Sequence, residues 1–127
     1  IYTLSLHDAL PISTSDIFTA PAVSQEQAAQ ILRDLVRLRM SGMSAPLPFF
    51  PRASLAYAHR RFDTKNSDME SALNAARKDW LGGYSTRAER EDPFLRVVYR
   101  DAEPDWEAFA AVTEAVYGPL LGGDRDL

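Results

Sequence analysis

The sequence predicts a mainly α-helical domain with four to five helices and little or no sheet. Three observations indicate this fold class: apolar residues recur at helical spacing, capping residues precede several of these stretches, and glycine or proline follows them. The chain has 127 residues, of which 46% are hydrophobic and 25% charged, a composition typical of one modest globular domain. Its longest apolar runs stay well short of the ~20 residues that a membrane span requires.

The first helix is predicted to begin after Ser24 and to end at Gly42. Ser24 and Gln27 fit a capping box, in which each side chain satisfies a free backbone donor of the other residue. Residues 13–23, which precede it, are short, polar and proline-containing, and we expect them to form a loop. The residues expected to face the core recur at helical spacing: Ala28, Ile31, Leu35 and Leu38.

A proline-rich segment, residues 45–51, follows the first helix. Its three prolines exclude a regular helix. The adjacent Phe49 and Phe50 fit either an extended strap packed over a core or a partner-binding surface. A short helix is then predicted from Arg52 to Phe62, with Leu55, Ala58 and Phe62 on its inner side.

The next helix has the clearest pattern. Ser67 and Glu70 fit a second capping box, and Gly82-Gly83 supplies the stop, because glycine tolerates the left-handed conformation that ends helices. Its apolar stripe consists of Met69, Leu73, Ala76 and Trp80. Residues 84–91 are predicted to form a charged loop.

Two further helices are predicted near the end of the chain. Asp92 is an N-cap followed by Pro93 at the first helical position. We favour a short helix here over a strand, which the alternation of Leu95, Val97 and Tyr99 would also fit. The face expected to be shared is Phe94, Leu95, Val98 and Tyr99. The last helix is predicted from Pro104 to Gly118-Pro119, with an inner face of Trp106, Phe109, Val112 and Val116.

Residues 1–13 are predicted to be a non-native segment. The first twelve residues match, in order, one reading frame of a common short-read sequencing adapter, and Ser13 fits the codon at the junction. The competing interpretation is a natural N-terminal strand. We therefore exclude His7 and Asp8 from any active site. We expect residues 14–121 to form one domain at the end of a longer protein, and residues 122–127 to form a polar tail.

Composition excludes several kinds of site. The absence of cysteine excludes disulfides, thiolate zinc sites and cysteine nucleophiles. Outside residues 1–13 the only histidine is His59, which lies beside two arginines with no acid close in sequence, so a general-base role has little support. The net charge of −4 argues against a self-sufficient nucleic-acid binder.

Two weaker signals point to nucleic-acid chemistry. Asp63 and Lys65 supply the acid-x-Lys element of metal-dependent nucleases, but no second acid is placed to join them. We therefore predict no catalytic, metal-binding or cofactor-binding residue. Arg52, Arg60 and Arg61 are the candidate phosphate contacts, although a solvated helix end is the commoner role of such arginines.

Four segments, in this order and spacing, resemble the C-terminal region of RecC, the gamma subunit of exodeoxyribonuclease V. They are residues 45–57, 76–83, 90–100 and 109–121, and the resemblance covers about residues 24–121. The chain departs from the family at Arg52, where a lysine is expected, and the charge is kept.

The resemblance implies a non-catalytic fragment of a subunit in a bacterial, cytoplasmic RecBCD-type helicase–nuclease, which acts in double-strand break repair and recombination. Its role would be scaffold, subunit packing and part of a DNA channel, with RecB-like and RecD-like partner subunits and no membrane contact. The fragment would be a truncated part of an α/β PD-(D/E)XK nuclease-like domain without its active site. ATP and Mg²⁺ would be used by the partner subunits and not by this chain.

Two other interpretations stay open at this point. One is a stand-alone helical protein–protein interaction domain that uses the Phe49–Phe50 strap as its binding face. The other is an active nuclease built around Asp63 and Lys65.

Overall fold

The structure, a computed structural model, describes residues 2–5, 17–20, 22–62 and 68–121. Within these ranges it contains five α-helices, one 3-10 turn and one two-stranded sheet, which confirms a mainly α-helical fold with little sheet. In chain order the elements are β1 (Tyr2–Ser5), β2 (Ile17–Ala20), α1 (Gln25–Ser44), α2 (Pro51–Phe62), α3 (Met69–Leu81), the 3-10 turn (Glu89–Glu91), α4 (Pro93–Tyr99) and α5 (Trp106–Leu121).

The sheet joins β1 and β2 in antiparallel register, with Tyr2 opposite Ala20 and Ser5 opposite Ile17. The loop predicted for residues 13–23 is therefore wrong at Ile17–Ala20. Isoleucine, phenylalanine and threonine favour strands, but a strand also needs a partner, and local sequence patterns do not reveal one. β1 lies within residues 1–13, whose adapter origin stays a prediction; His7 and Asp8 lie outside the described residues.

Helix α1 begins as predicted. The Gln27 N–H donates to Ser24 Oγ (3.1 Å) and the Ser24 N–H donates to Gln27 Oε1 (3.0 Å), which confirms the capping box. The predicted stop at Gly42 is wrong, because the helix continues to Ser44. Gly42 instead lets another residue approach the helix: a Cβ built there would lie 3.2 Å from Leu47 Cδ1.

No side chain of α1 is buried. The predicted core residues Ala28, Ile31 and Leu38 are half-buried, and Leu35 is exposed. A second row of apolar side chains, the α1 outer stripe, faces solvent and consists of Leu32, Val36, Met40 and Met43. Helix α1 is thus a peripheral element that packs on α5.

The core lies between α2, α3 and α5. The ring of Phe50 stacks on Trp80 and on Phe109, with centroid distances of 4.6 and 5.7 Å. All three rings are buried. Phe49, which is half-buried, stacks on Tyr117 at 6.0 Å. The phenylalanines of the proline-rich segment therefore pack over the core, which favours the strap over the alternative of a partner-binding surface.

The inner face of α2 differs from the prediction. Its buried residues are Ala53, Ser54, Tyr57 and Ala58. Leu55, predicted to point inward, is 42% exposed, and Phe62 is half-buried. The reason is the strap: Phe50, immediately before the helix, is fixed in the core, and this sets the rotation of α2 about its own axis.

Helix α3 largely follows its predicted stripe. Leu73, Ala76 and Trp80 are buried, whereas Met69, on the first turn, is exposed. The N-cap is Asp68, whose carboxylate accepts from the Ser71 N–H, and not Ser67, which lies outside the described residues. The predicted stop is confirmed: Gly82 has φ +77°, and a Cβ there would lie 2.7 Å from the backbone nitrogen of Ala88.

The prediction that the residues after Asp92 form a helix and not a strand is confirmed by α4. Asp92 Oδ1 accepts from the Phe94 N–H at 2.9 Å, so Asp92 is the N-cap. The predicted face is only half right: Leu95 and Tyr99 pack against the core, while Phe94 is 83% exposed and Val98 is exposed as well. Only one narrow side of this short helix meets the core.

Helix α5 continues through Gly118 and Pro119 to Leu121, so the predicted stop there is wrong. Phe109, which was predicted to face inward, is buried, as are Ala110 and Thr113. The other predicted inner residues are half-buried: Trp106, Val112 and Val116. The helix is extended beyond the glycine by tertiary packing, since Tyr117 stacks on Phe49 from the strap.

Candidate nucleic-acid interface

The candidate phosphate contact Arg52 lies in the first turn of α2 and makes contacts within the chain. Its Nη1 donates to the carbonyl oxygen of Arg87 at 2.8 Å, and its Nη2 lies 3.7 Å from Asp79 Oδ1. Its backbone N–H donates to Glu89 Oε1 at 2.7 Å. Arg52 therefore connects the start of α2 to residues 87–89.

Glu89 acts as a cap for α2 although it lies 36 residues further along the chain. One carboxylate oxygen accepts from the Arg52 N–H and the other from the Ala53 N–H, both at 2.7 Å. The first backbone donors of a helix have no partner within it, and a negative charge there also suits the helix dipole. Glu89 is only 7% exposed, so the hydrogen bonds from these two amides compensate its carboxylate for the loss of hydration.

The candidate contacts Arg60 and Arg61 lie at the other end of α2. Arg60 Nε donates to Ser71 Oγ at 2.8 Å, and Arg61 Nε donates to Glu114 Oε1 at 3.1 Å. About eight residues of helix, on the order of 12 Å, separate them from Arg52. The structure therefore does not bring the three candidate arginines together, and their contact with phosphate stays a prediction.

Tyr57 and Arg61 share one acceptor on α5. The Tyr57 hydroxyl donates to Glu114 Oε1 at 2.7 Å, the oxygen that Arg61 also contacts. Burial raises the pKa of Tyr57 well above its ordinary value, and the hydrogen bond to Glu114 and its negative charge raise it further; Arg61 opposes them more weakly. Burial also raises the pKa of Tyr99.

These two tyrosines predict a loss of stability in alkali. Unfolded tyrosine ionises near pH ~10, whereas the raised pKa values keep both tyrosines protonated to higher pH in the folded state. Their stabilisation is therefore complete below the unfolded pKa and is lost progressively as the pH rises from there through the folded pKa values. We expect urea midpoints to fall between about pH 9 and pH 11. The Tyr57→Phe variant should show a shallower fall, since the contribution of Tyr57 is removed; parallel curves for the two proteins would contradict the assignment.

Sequence reasoning missed a second group of arginines, between the 3-10 turn and α4. We call this the arginine groove: a cavity of about 330 Å³ lined by Arg87, Arg90, Glu91, Arg96, Arg100 and Asp101. Arg87 Nε pairs with Glu91 at 3.3 Å. Within the described ranges, Arg90, Arg96 and Arg100 have no ion pair. A sequence signal was present, because Arg96 lies on a predicted helix and Arg100 follows it by only four residues.

Arg100 occupies an unusual backbone position beside this groove. It has φ 54° and ψ −113°, and the Ala102 N–H donates to the Tyr99 carbonyl oxygen at 2.8 Å, which closes a β-turn. These angles are close to the second position of a type II′ turn, where glycine is usual because a side chain is strained there. The arginine side chain is thus held at a conformational cost of order 1–3 kcal/mol.

The nuclease interpretation rested on Asp63 and Lys65, which lie outside the described residues. Within residues 22–62 and 68–121, no group of three or more histidine, aspartate or glutamate side chains is placed to hold a metal ion. Among the helices of the described ranges, none is both long and apolar enough to cross a membrane.

Comparison with known proteins agrees with the resemblance found in the sequence. The family model of the RecC C-terminal domain matches residues 2–62, a range that includes β1. The RecBCD enzyme subunit RecC of Escherichia coli (strain K12) is 31% identical over 109 residues, which cover 80% of this chain. The chain spans about 10% of the length of that relative. These two matches show that the chain belongs to the RecC C-terminal domain family.

Proposed function

We propose that this chain acts as a non-catalytic part of a RecC-like subunit in a cytoplasmic RecBCD-type helicase–nuclease, in double-strand break repair and recombination. The observation that carries the proposal is the 31% identity with a RecBCD enzyme subunit over 109 residues. RecB-like and RecD-like subunits are the proposed partners, and these subunits would use ATP and Mg²⁺. The parent domain would have the PD-(D/E)XK nuclease-like fold without its active site.

The aromatic core supports a scaffold role. Each of the four segments that carry the family resemblance contributes at least one ring to a single cluster, which includes Phe50, Trp80, Tyr99 and Phe109. Tyr99 meets Phe50 edge-on at 5.4 Å and Trp80 at 5.6 Å, beside the two stacked pairs of Phe50. The resemblance thus concentrates in side chains that hold four parts of the chain together, which is what a scaffold needs.

The α1 outer stripe supports subunit packing. Leu32, Val36, Met40 and Met43 form an apolar row in contact with solvent on one side of a 20-residue helix. Exposed apolar rows of this kind mark surfaces that pack against other protein. We propose that the remainder of a RecC-like subunit covers it, since the chain corresponds to only 10% of the relative's length.

A chimeric complex tests this proposal. The aligned segment of the E. coli RecC subunit is replaced by this chain, the chimera is co-expressed with RecB and RecD, and the copurified complex is assayed for binding to duplex ends and for unwinding. We expect assembly and unwinding. A chimera that is soluble and folded by circular dichroism, yet recruits neither partner, would overturn the proposal.

The same complex tests the DNA channel. Replacing Arg52, Arg60 and Arg61 by alanine should weaken binding of all DNA sequences alike and reduce the salt dependence, as expected for phosphate contacts. The matched control replaces Arg33, Arg37 and Arg39, three arginines exposed on α1. Equal affinity and salt slope in the two triple variants would rule out the candidate contacts.

A further inference from the structure

We propose that the arginine groove binds a phosphodiester group of single-stranded DNA. The inference rests on the proposed function in one respect, the choice of DNA as the source of the phosphate. The anion-binding chemistry comes from the groove itself.

The charge balance of the groove favours an anionic ligand. Four arginines face two carboxylates, and one of these, Glu91, already pairs with Arg87. Arg90, Arg96 and Arg100 then share the cavity with Asp101, which has no ion pair within the described part of the chain. Like charges in one cavity repel each other, and a bound anion removes that repulsion. This excess of positive charge occurs in a chain whose net charge is −4, so it is a local feature and not a general one.

The chemistry of arginine favours phosphate over a monovalent ion. Each guanidinium presents a planar fork of N–H donors that matches two phosphate oxygens at once, and it is less strongly hydrated than an ammonium group. The cavity of about 330 Å³ is at the lower end of the ~300–1,000 Å³ of small-ligand sites. A phosphate with part of its sugar is a ligand of this scale.

Two exposed rings favour single-stranded nucleic acid over an acidic protein partner. Tyr84, in the loop before the 3-10 turn, is fully exposed, and Phe94, in the first turn of α4, is 83% exposed. Both rings lie on segments next to the groove, outside its lining. Neither ring contributes to the core. Proteins that bind single strands combine a positively charged groove with exposed rings on which bases stack. An acidic peptide offers no base to stack.

The strained position of Arg100 agrees with a binding role. Glycine would fit its φ of 54° and ψ of −113° without strain, so stability alone does not explain an arginine there. Strained residues of this kind cluster at ligand sites. The turn fixes Arg100 at the edge of the groove, four residues after Arg96.

The test measures binding of a fluorescent oligothymidylate of about 16 nucleotides to the full 127-residue chain by anisotropy, at low ionic strength and across a salt series. The groove variant is Arg90→Gln/Arg96→Gln, since neither side chain has an ion pair in the described ranges and the fold should persist. The control, Arg33→Gln/Arg39→Gln on α1, removes the same charge elsewhere. We expect about a tenfold loss of affinity in the groove variant. The logarithmic salt slope should fall by about 0.7 per phosphate contact. The control should keep most of its affinity and its slope.

A third variant separates binding from folding. Arg100→Gly relieves the strained turn and removes one groove charge, so its melting temperature should rise while its affinity falls. No general destabilisation of the protein produces that combination.

Several outcomes would overturn the inference. Equal affinities for the groove and control variants would do so, and so would a binding curve for inorganic phosphate with none for the oligonucleotide. Competition by polyglutamate that equals competition by unlabelled oligothymidylate would indicate an acidic protein partner instead. When the groove substitutions are made in the chimeric complex, failure of the unsubstituted chimera to assemble counts against the proposed function. A chimera that assembles, but whose groove variant binds DNA unchanged, counts against the groove alone.

Discussion

Replacing Trp80 by alanine is expected to lower the free energy of unfolding by about 3–5 kcal/mol. Trp80 is almost completely buried, and its ring meets three others: Phe50, Tyr99 and, edge-on at 6.4 Å, Trp106. Phe109 stacks on the Phe50 ring in the same cluster. Truncation would leave a cavity where α3 meets the strap and α4. Domains of this size have ~5–15 kcal/mol of stability in all, so the variant should be largely unfolded well below the parent's melting temperature.

Urea unfolding followed by far-UV circular dichroism measures the effect. Tyr84→Ala is the matched control, because it also removes a large aromatic side chain but from a fully exposed position. Its stability should change by no more than ~0.5 kcal/mol. Equal midpoints for the two variants would mean that the cluster around Trp80 is not the core.

Replacing Glu89 by alanine is expected to lower the free energy of unfolding by about 3 kcal/mol. The substitution removes both acceptors that the first turn of α2 uses, and it leaves the Ala53 N–H buried without a partner. An unsatisfied buried donor costs its full desolvation, ~1–3 kcal/mol, and the bonds that are lost were to a charged group. Thermal and urea unfolding of the variant measure the loss.

Glu91 provides the control, since it lies two residues away, is exposed and pairs with Arg87 on the surface. Glu91→Ala should change stability by ~0–1 kcal/mol. Glu89→Gln should fall between the two, because the amide keeps one acceptor oxygen and loses the other. If Glu89→Ala and Glu91→Ala were equally stable, Glu89 would not be the cap of α2.

The helices could be predicted from the sequence because their signals are local. The capping box of Ser24 and Gln27, the N-cap Asp92 and the stop at Gly82 each depend on residues within one turn of the helix end. The stripe of α3 was also correct from Leu73 to Trp80, since its period reflects one continuous buried face.

The errors share a different cause, which is contact between distant parts of the chain. Helix α1 continues through Gly42, where the side chain of Leu47 packs against the helix. Helix α5 continues through Gly118, next to the contact between Tyr117 and Phe49. Leu55 faces outward because Phe50 sets the rotation of α2. A helical period identifies which residues share a face, but the partner element decides which face is buried.

The arginine groove could not be predicted from the sequence for a related reason. The pattern of residues 84–91 indicated only a charged loop, so Arg87 and Arg90 were not grouped with the arginines of α4. The cavity arises because the chain turns between Glu91 and Pro93 and again at Arg100, which brings both pairs to one place. Glu89, which lies within this predicted charged loop, is buried because its carboxylate caps α2.

The cap that Glu89 supplies also has a consequence for how this chain folds. The hydrogen bonds from Arg52 and Ala53 to Glu89 form only after the chain has closed a loop of more than thirty residues. The start of α2 and the 3-10 turn should therefore form and melt as one cooperative unit. In native-state hydrogen exchange, the amide protons of Arg52 and Ala53 should exchange together with those of the buried centre of α3, and not with the fraying ends of the other helices.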